Sequence, residues 1–188
     1  MAEPAEERDH RSMTRPPQPD PSRLTPFAGH PGVVGIVPGQ PELVALTAVA
    51  WAKATGGELY FAYVDPHRYV TEERPDGSVA HADIDPDLDP DDWQTRSREM
   101  QAYLRHVVGP TGVPWHFRYL AGRPDRALTH LARAVDAAVI VVGTRPPGMR
   151  ERLRSFLSAS VSAHLSHHQH RPVLVVPLDV VDWKDQIT

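Results

Sequence analysis

The chain of 188 residues contains no cysteine. That absence excludes disulfides, thiolate metal sites and a cysteine nucleophile, and it accords with a cytoplasmic address. Long apolar runs are missing too: the longest, such as Ala137 to Val142 and Val173 to Pro177, fall far short of the roughly 20 residues that cross a bilayer. No basic segment followed by an apolar block opens the chain. Glu3, Glu6, Glu7 and Asp9 stand there instead, so export by a secretory signal is not expected. Nor is positive charge in excess: the formal net charge is −4 with eleven histidines uncounted, which argues against general attraction to phosphate backbones. Neither nucleic acid nor a membrane is expected as a partner. What the chain does have is 40% apolar and 23% charged residues, enough to enclose one core and stay in solution.

Residues 1–30 carry six prolines and only scattered apolar side chains, and read as a disordered N-terminal arm. One domain is expected over 31–179, with an acidic loop insertion at 65–92 and a polar tail at 180–188. Within the domain, short aliphatic runs alternate with helical patterns, the signature of βαβ units. The strands are expected at Val33 to Val37, Glu58 to Val64, Trp115 to Leu120, Ala137 to Val142 and Val173 to Val176. Pro41 suits the first turn of a helix, with Leu43, Leu46, Ala50 and Trp51 at helical spacing until Gly56-Gly57. A second helix begins near Pro90 to Trp93 and carries Trp93, Met100, Leu104 and Val107 along one stripe. A third follows Gly122-Arg123-Pro124-Asp125, with Leu128, Leu131 and Val135 facing the sheet. The fourth is marked by Leu153, Leu157, Val161 and His164 or Leu165. Between Asp65 and Asp92 stand ten acids against Arg68 and Arg74, and four prolines break any regular pattern. The fold class is therefore α/β, a single doubly wound five-stranded parallel sheet flanked by four helices. Its expected crevice opens where the strand ending at Val142 runs into Gly143.

Four segments in order carry a family likeness: Leu120-Ala-Gly-Arg-Pro, Ala137-Ala-Val-Ile-Val-Val-Gly-Thr-Arg, Ser158-Ala-Ser-Val-Ser-Ala-His-Leu and Arg171-Pro-Val-Leu-Val-Val-Pro. On these, residues from about 33 to 178 resemble the universal stress protein family, whose fold is akin to that of the adenine nucleotide alpha hydrolases. The resemblance implies a homodimer paired across the last strand, Val173 to Val176. In one branch of the family it also implies ATP at the strand ends, held by glycine, two residues, glycine, nine residues, then glycine with Ser or Thr. Glycines let backbone N–H groups approach phosphate, and a helix N-terminus favours negative charge. The implied site is Val37, Pro38, Gly39, Val64, Gly143, Thr144, Arg145, Gly148, Ala159, Ser160 and Val161, and the implied ligand is ATP or AMP.

The chain departs from that pattern. Gly143 fits the first glycine, but Pro146 stands three residues on and has no N–H. Taking Gly148 as the second glycine puts four residues between the two and ten more before Ala159-Ser160, where the family has glycine and serine. ATP-binding members usually have an aspartate where Val37 stands here. Against these losses, Arg145, Arg150, Arg152 and Arg154 crowd the loop, either as phosphate ligands or as solvated surface charge.

His164 and His168 have the i, i+4 spacing of a metal pair but no accompanying carboxylate motif, and read as helix-end histidines, so no metal is expected. Asp83, Asp85, Asp87, Asp89 and Asp91 do not make a calcium loop, because Leu88 and Gln94 fall where glycine and glutamate are required. Ser160 lies near histidines without a nucleophile-elbow pattern, so no enzyme is expected. Two readings remain: a regulatory binding protein with an adenine nucleotide in a modified crevice, or a dimeric interaction protein that binds no nucleotide and acts through a protein partner.

Overall fold

Strands that are apolar on both sides need cover on both faces. The computed structural model provides it, and describes residues 20–85, 92–144 and 159–178. The parallel strands are β1 (Gly32–Gly35), β2 (Leu59–Asp65), β5 (Trp115–Ala121), β6 (Val139–Gly143) and β7 (Val173–Val176), and the order across the sheet is β5-β2-β1-β6-β7. Between β2 and β5 lies a hairpin of β3 (Arg68–Glu73) and β4 (Val79–Asp83). The helices are α1 (Leu43–Thr55), α2 (Asp92–Val107), α3 (Pro124–Ala134) and α4 (Ala159–His168). The five-stranded parallel sheet and four helices match the fold expected. Strand ends move by at most two residues, as with β1, which stops at Gly35 because Val37 enters a turn. The N-terminal half of the expected fourth helix lies outside the described residues.

Successive residues of β1 point to opposite faces. Gly32 faces α1, where an added Cβ would stand 2.8 Å from the Trp51 ring, and Gly35 faces α3, 3.1 Å from Leu128. Val33, Val34, Phe61, Ile140 and Val141 are fully buried between these layers. On α1 the buried stripe is Val44, Ala45, Ala48, Val49 and Ala52, whereas Leu43 and Leu46 are exposed. This corrects the expected stripe. The helix is apolar nearly all round, so periodicity does not set its phase, and the small residues face the close approach to the sheet. Gly56, at φ 71°, ends α1 by donating its N–H to Ala52 O.

The acidic loop is also corrected, since Arg68 to Asp83 form an antiparallel ribbon rather than irregular chain. Its turn has Asp76-Gly77 at the tip with Gly77 at φ 78°, and the Asp76 carboxylate accepts from both the N–H and the hydroxyl of Ser78. Pro75 falls in the turn, where a missing N–H costs nothing. The tip packs on α3: a Cβ at Gly77 would meet Leu131 at 2.5 Å. Before β1, Phe27 sets its ring edge-on to Trp51 and Gly29 N–H donates to Thr55 O, so residues near the end of the expected disordered arm pack on α1. Most of that arm, residues 1–19, and the tail beyond Leu178 lie outside the described residues.

Candidate functional site

In an open parallel sheet the connections diverge at one strand, and ligands bind in the crevice beyond its carboxyl end. β1 is that strand, with β2 on one side and β6 on the other. From its end, Val37 to Gln40 make a tight turn closed by Gln40 N–H to Val37 O at 3.2 Å. Pro38 presets φ at the second position, and Gly39 takes the φ of 72° that the third requires. The turn folds the Gln40 side chain back, so that its Oε1 accepts from Val37 N–H at 3.1 Å. Gln40 is buried, and its Nε2 has no hydrogen-bond partner among the described residues.

That amide lies against Gly143. A Cβ on Gly143 would stand 2.6 Å from Gln40 Nε2 and 2.9 Å from both Leu178 and Val44, so the absence of a side chain serves close packing. Thr144 ties β6 to the chain after β7: its N–H donates to Val176 O at 2.8 Å and its Oγ1 accepts from Leu178 N–H at 2.7 Å. The Thr144 hydroxyl thus serves as an acceptor within the protein.

Of the residues expected from sequence, Val37, Val64 and Val161 meet on the α3 side. There, with Leu128 and Val142, they line a recess of only about 10 Å³, the space of a single water rather than of a base. Pro38 and Gly39 lie on the other side of the turn. With Gln40, Met100 and Tyr103 they line a cleft of about 160 Å³. Arg145 and Gly148 lie outside the described residues. Ala159 and Ser160 begin α4, and their side chains also lie outside what is described. The pair His164 and His168 does fall on one helix, and among the described residues no three metal-ligating side chains converge.

Sequence reasoning missed the polar network at the end of β2. Asp65 is 2% exposed and accepts from Tyr119 Oη at 2.6 Å, Arg96 Nη1 at 2.8 Å and its neighbour His67 N–H at 2.9 Å. Burial pushes its carboxyl up, but these donors outweigh burial and hold it below the ordinary carboxylate value. Arg96 also binds Asp92 at 2.6 Å. Burial, and next the nearby Asp65, push the Tyr63 hydroxyl up to about 12. Beside this, Arg68 donates to His81 Nδ1 at 2.7 Å, pairs with Asp83 and stacks over Trp93. Burial, and then Arg68, push the His81 imidazole down, in keeping with its role as acceptor. Trp93, on the expected α2 stripe, packs between the hairpin, at His81, and the edge strand of the sheet, at Tyr119. No motif marks this set, because its members come from five separate elements.

The strand order, the switch point at β1 and the glycine at the end of β6 define a doubly wound α/β domain of the kind that places a ligand crevice at its strand ends. The chain belongs to the universal stress protein family, whose sequence model matches residues 33–177. It is similar in fold to a universal stress protein of Lactobacillus plantarum, with 16% identity, a TM-score of 0.56, and coverage of 79% of this chain and 98% of the other. A universal stress protein of Archaeoglobus fulgidus in complex with dAMP is 18% identical with a TM-score of 0.54, over 78% of this chain and 97% of the other. Another, in complex with cAMP, is 21% identical with a TM-score of 0.50, over 81% and 99%. No curated protein sequence matches the chain. Among the described residues no helix is long and apolar enough to cross a membrane.

Proposed function

We propose that this protein is a regulatory binding protein of the cytoplasm, not an enzyme, which holds an adenine nucleotide, AMP or ATP, in a modified crevice at the β1–β6 switch point. The observation that carries the reading is the buried carboxamide of Gln40, whose Nε2 lies against bare Gly143 without a partner among the described residues. A buried donor left unmade costs about 1–3 kcal/mol, which an acceptor on a ligand would recover. The dAMP and cAMP held by the two structural neighbours support the ligand class. Calorimetric titration of the full chain with AMP and ATP should give saturable binding, weakened about tenfold by Gln40→Ala. Arg145→Ala and Ser160→Ala should also weaken it if the loop and the start of α4 hold phosphate. Flat titrations with both nucleotides would sink this reading.

A second reading rests on the 10 Å³ recess, where Val37 stands in place of the aspartate of ATP-binding relatives. In it the crevice holds no nucleotide, and a homodimer acts through protein contacts. Both readings place the dimer on β7, an edge strand of the sheet among the described residues, where Leu174 and Val175 are 37% and 40% exposed. Light scattering after gel filtration should report a dimer for the native chain and a monomer for Leu174→Lys/Val175→Lys. A monomeric native chain removes the dimer from both readings. Native mass spectrometry separates the readings themselves, since retained nucleotide at stoichiometry excludes the second.

A further inference from the structure

The β3–β4 hairpin leaves a cleft between itself and α3. Its inner part, about 190 Å³, has an apolar lining from Val70, Val79, Leu120 and Ala127. The outer part, about 570 Å³, runs along α3 and reaches His164 of α4. Glu73, Arg123, Arg126 and His130 line both parts, so the two are continuous. The α3 turns alternate cleanly: Leu128, Leu131 and Ala132 are buried, while Arg126, His130 and Arg133, spaced by four and three residues, share the face toward the cleft.

The carboxylates here are already engaged. Glu73 lies 3.4 Å from His130 Nδ1, and Asp125 takes Arg123 at 2.8 Å. That leaves Arg126 and Arg133, both exposed and without an ion pair among the described residues. His130 Nε2 is buried and has no hydrogen-bond partner among them either. Two uncommitted guanidinium groups beside an apolar hollow form a surface with unmet demand at both ends: anionic oxygen at the rim, apolar bulk within. The crevice at β1 is a different place. Its recess uses Pro124 and Leu128, on another side of α3.

We propose that this cleft is a second ligand site, which takes a small organic oxyanion with its apolar body against Val79, Leu120 and Ala127 and its negative end along Arg126, His130 and Arg133. Arg126 and Arg133 start about 10 Å apart along the helix, so both are satisfied together by an elongated anion or one with several oxygens. A phosphate monoester or a carboxylate on an apolar body shares this chemistry.

The probe is anilinonaphthalene sulfonate, an aromatic oxyanion whose fluorescence rises on leaving water. Titrated into the full chain, it should saturate one site, and Arg126→Ala/Arg133→Ala should weaken binding by about tenfold or more. Ala127→Phe, which fills the hollow, should abolish it. Arg98→Ala/Arg105→Ala, exposed arginines of α2, should leave it unchanged. In backbone amide spectra the shifts should centre on Gly122 and Thr129. Equal affinity in the native chain and the Arg126/Arg133 variant, or shifts confined to Val37 and Gly143, overturns the proposal. Benzoate and phenyl phosphate, used as competitors, then distinguish carboxylate from phosphate as the preferred head.

Discussion

Asp65→Ala should lower the free energy of unfolding by about 3 kcal/mol, because it strips the acceptor from a buried network and leaves its donors behind. The Tyr119 O–H and the His67 N–H lose their acceptor, and Arg96 loses its buried carboxylate while keeping Asp92 and the Tyr119 oxygen. Arg96 remains partly exposed, at 28%, so water relieves some of its charge and the loss falls at the lower end of what breaking a buried pair costs. The effect has a definite pH signature. The folded carboxyl titrates below its ordinary value of 3.8, so its contribution is fully present above that value and is lost as pH falls through the lower, folded one. Urea midpoints should therefore separate native and Asp65→Asn protein at neutral pH and converge as the carboxyl protonates. A separation that persists unchanged at the lowest pH at which both remain folded would show that the ionised carboxylate contributes nothing.

The second large effect is expected at Gly143. Gly143→Ala places a methyl group inside contact distance of Gln40 Nε2, Leu178 and Val44 at once, and should cost about 1–3 kcal/mol by overpacking. Gln40 and Leu178 offer the ends of flexible side chains, but the Val44 methyl is on a β-branched residue of α1 and moves least. Gln40→Ala frees one of the three contacts while uncapping Val37 N–H. In a double-mutant cycle, Gly143→Ala should therefore cost less on the Gln40→Ala background than on the native one. Strict additivity in thermal or urea unfolding would contradict the packing described. The same pair tests the site, since Gln40→Ala should weaken nucleotide while Gly143→Ala, by displacing the Gln40 amide, should do so as well.

Most of the sheet was legible because its cues are local. The runs at Val139 to Val142 and Val173 to Val176 announce buried parallel strands, and Gly56 and Pro124 mark where helices stop and start. With five strands and intervening helices, right-handed crossovers leave few topologies. The switch point at β1 is a property of strand order, which follows once the sheet is assembled. Where local cues were weak, the reading slipped. On α1, apolar residues all round concealed which side faces the sheet. In the acidic segment, charge and proline masked a hairpin whose Asp76-Gly77 turn was itself a local signal.

Composition and periodicity by themselves determined the α/β class and the parallel sheet, since each depends on neighbours in the chain or on a repeating burial pattern. Only the tertiary structure decided the rest. Asp65 meets Arg96 and Tyr119 across 31 and 54 residues, and the hairpin cleft joins Val79 to Arg126 and His164 from separate elements. Hydrogen bonds and ion pairs act over a few ångströms with no preferred spacing along the chain, so nothing in the order of residues marks which distant partners folding will bring within reach.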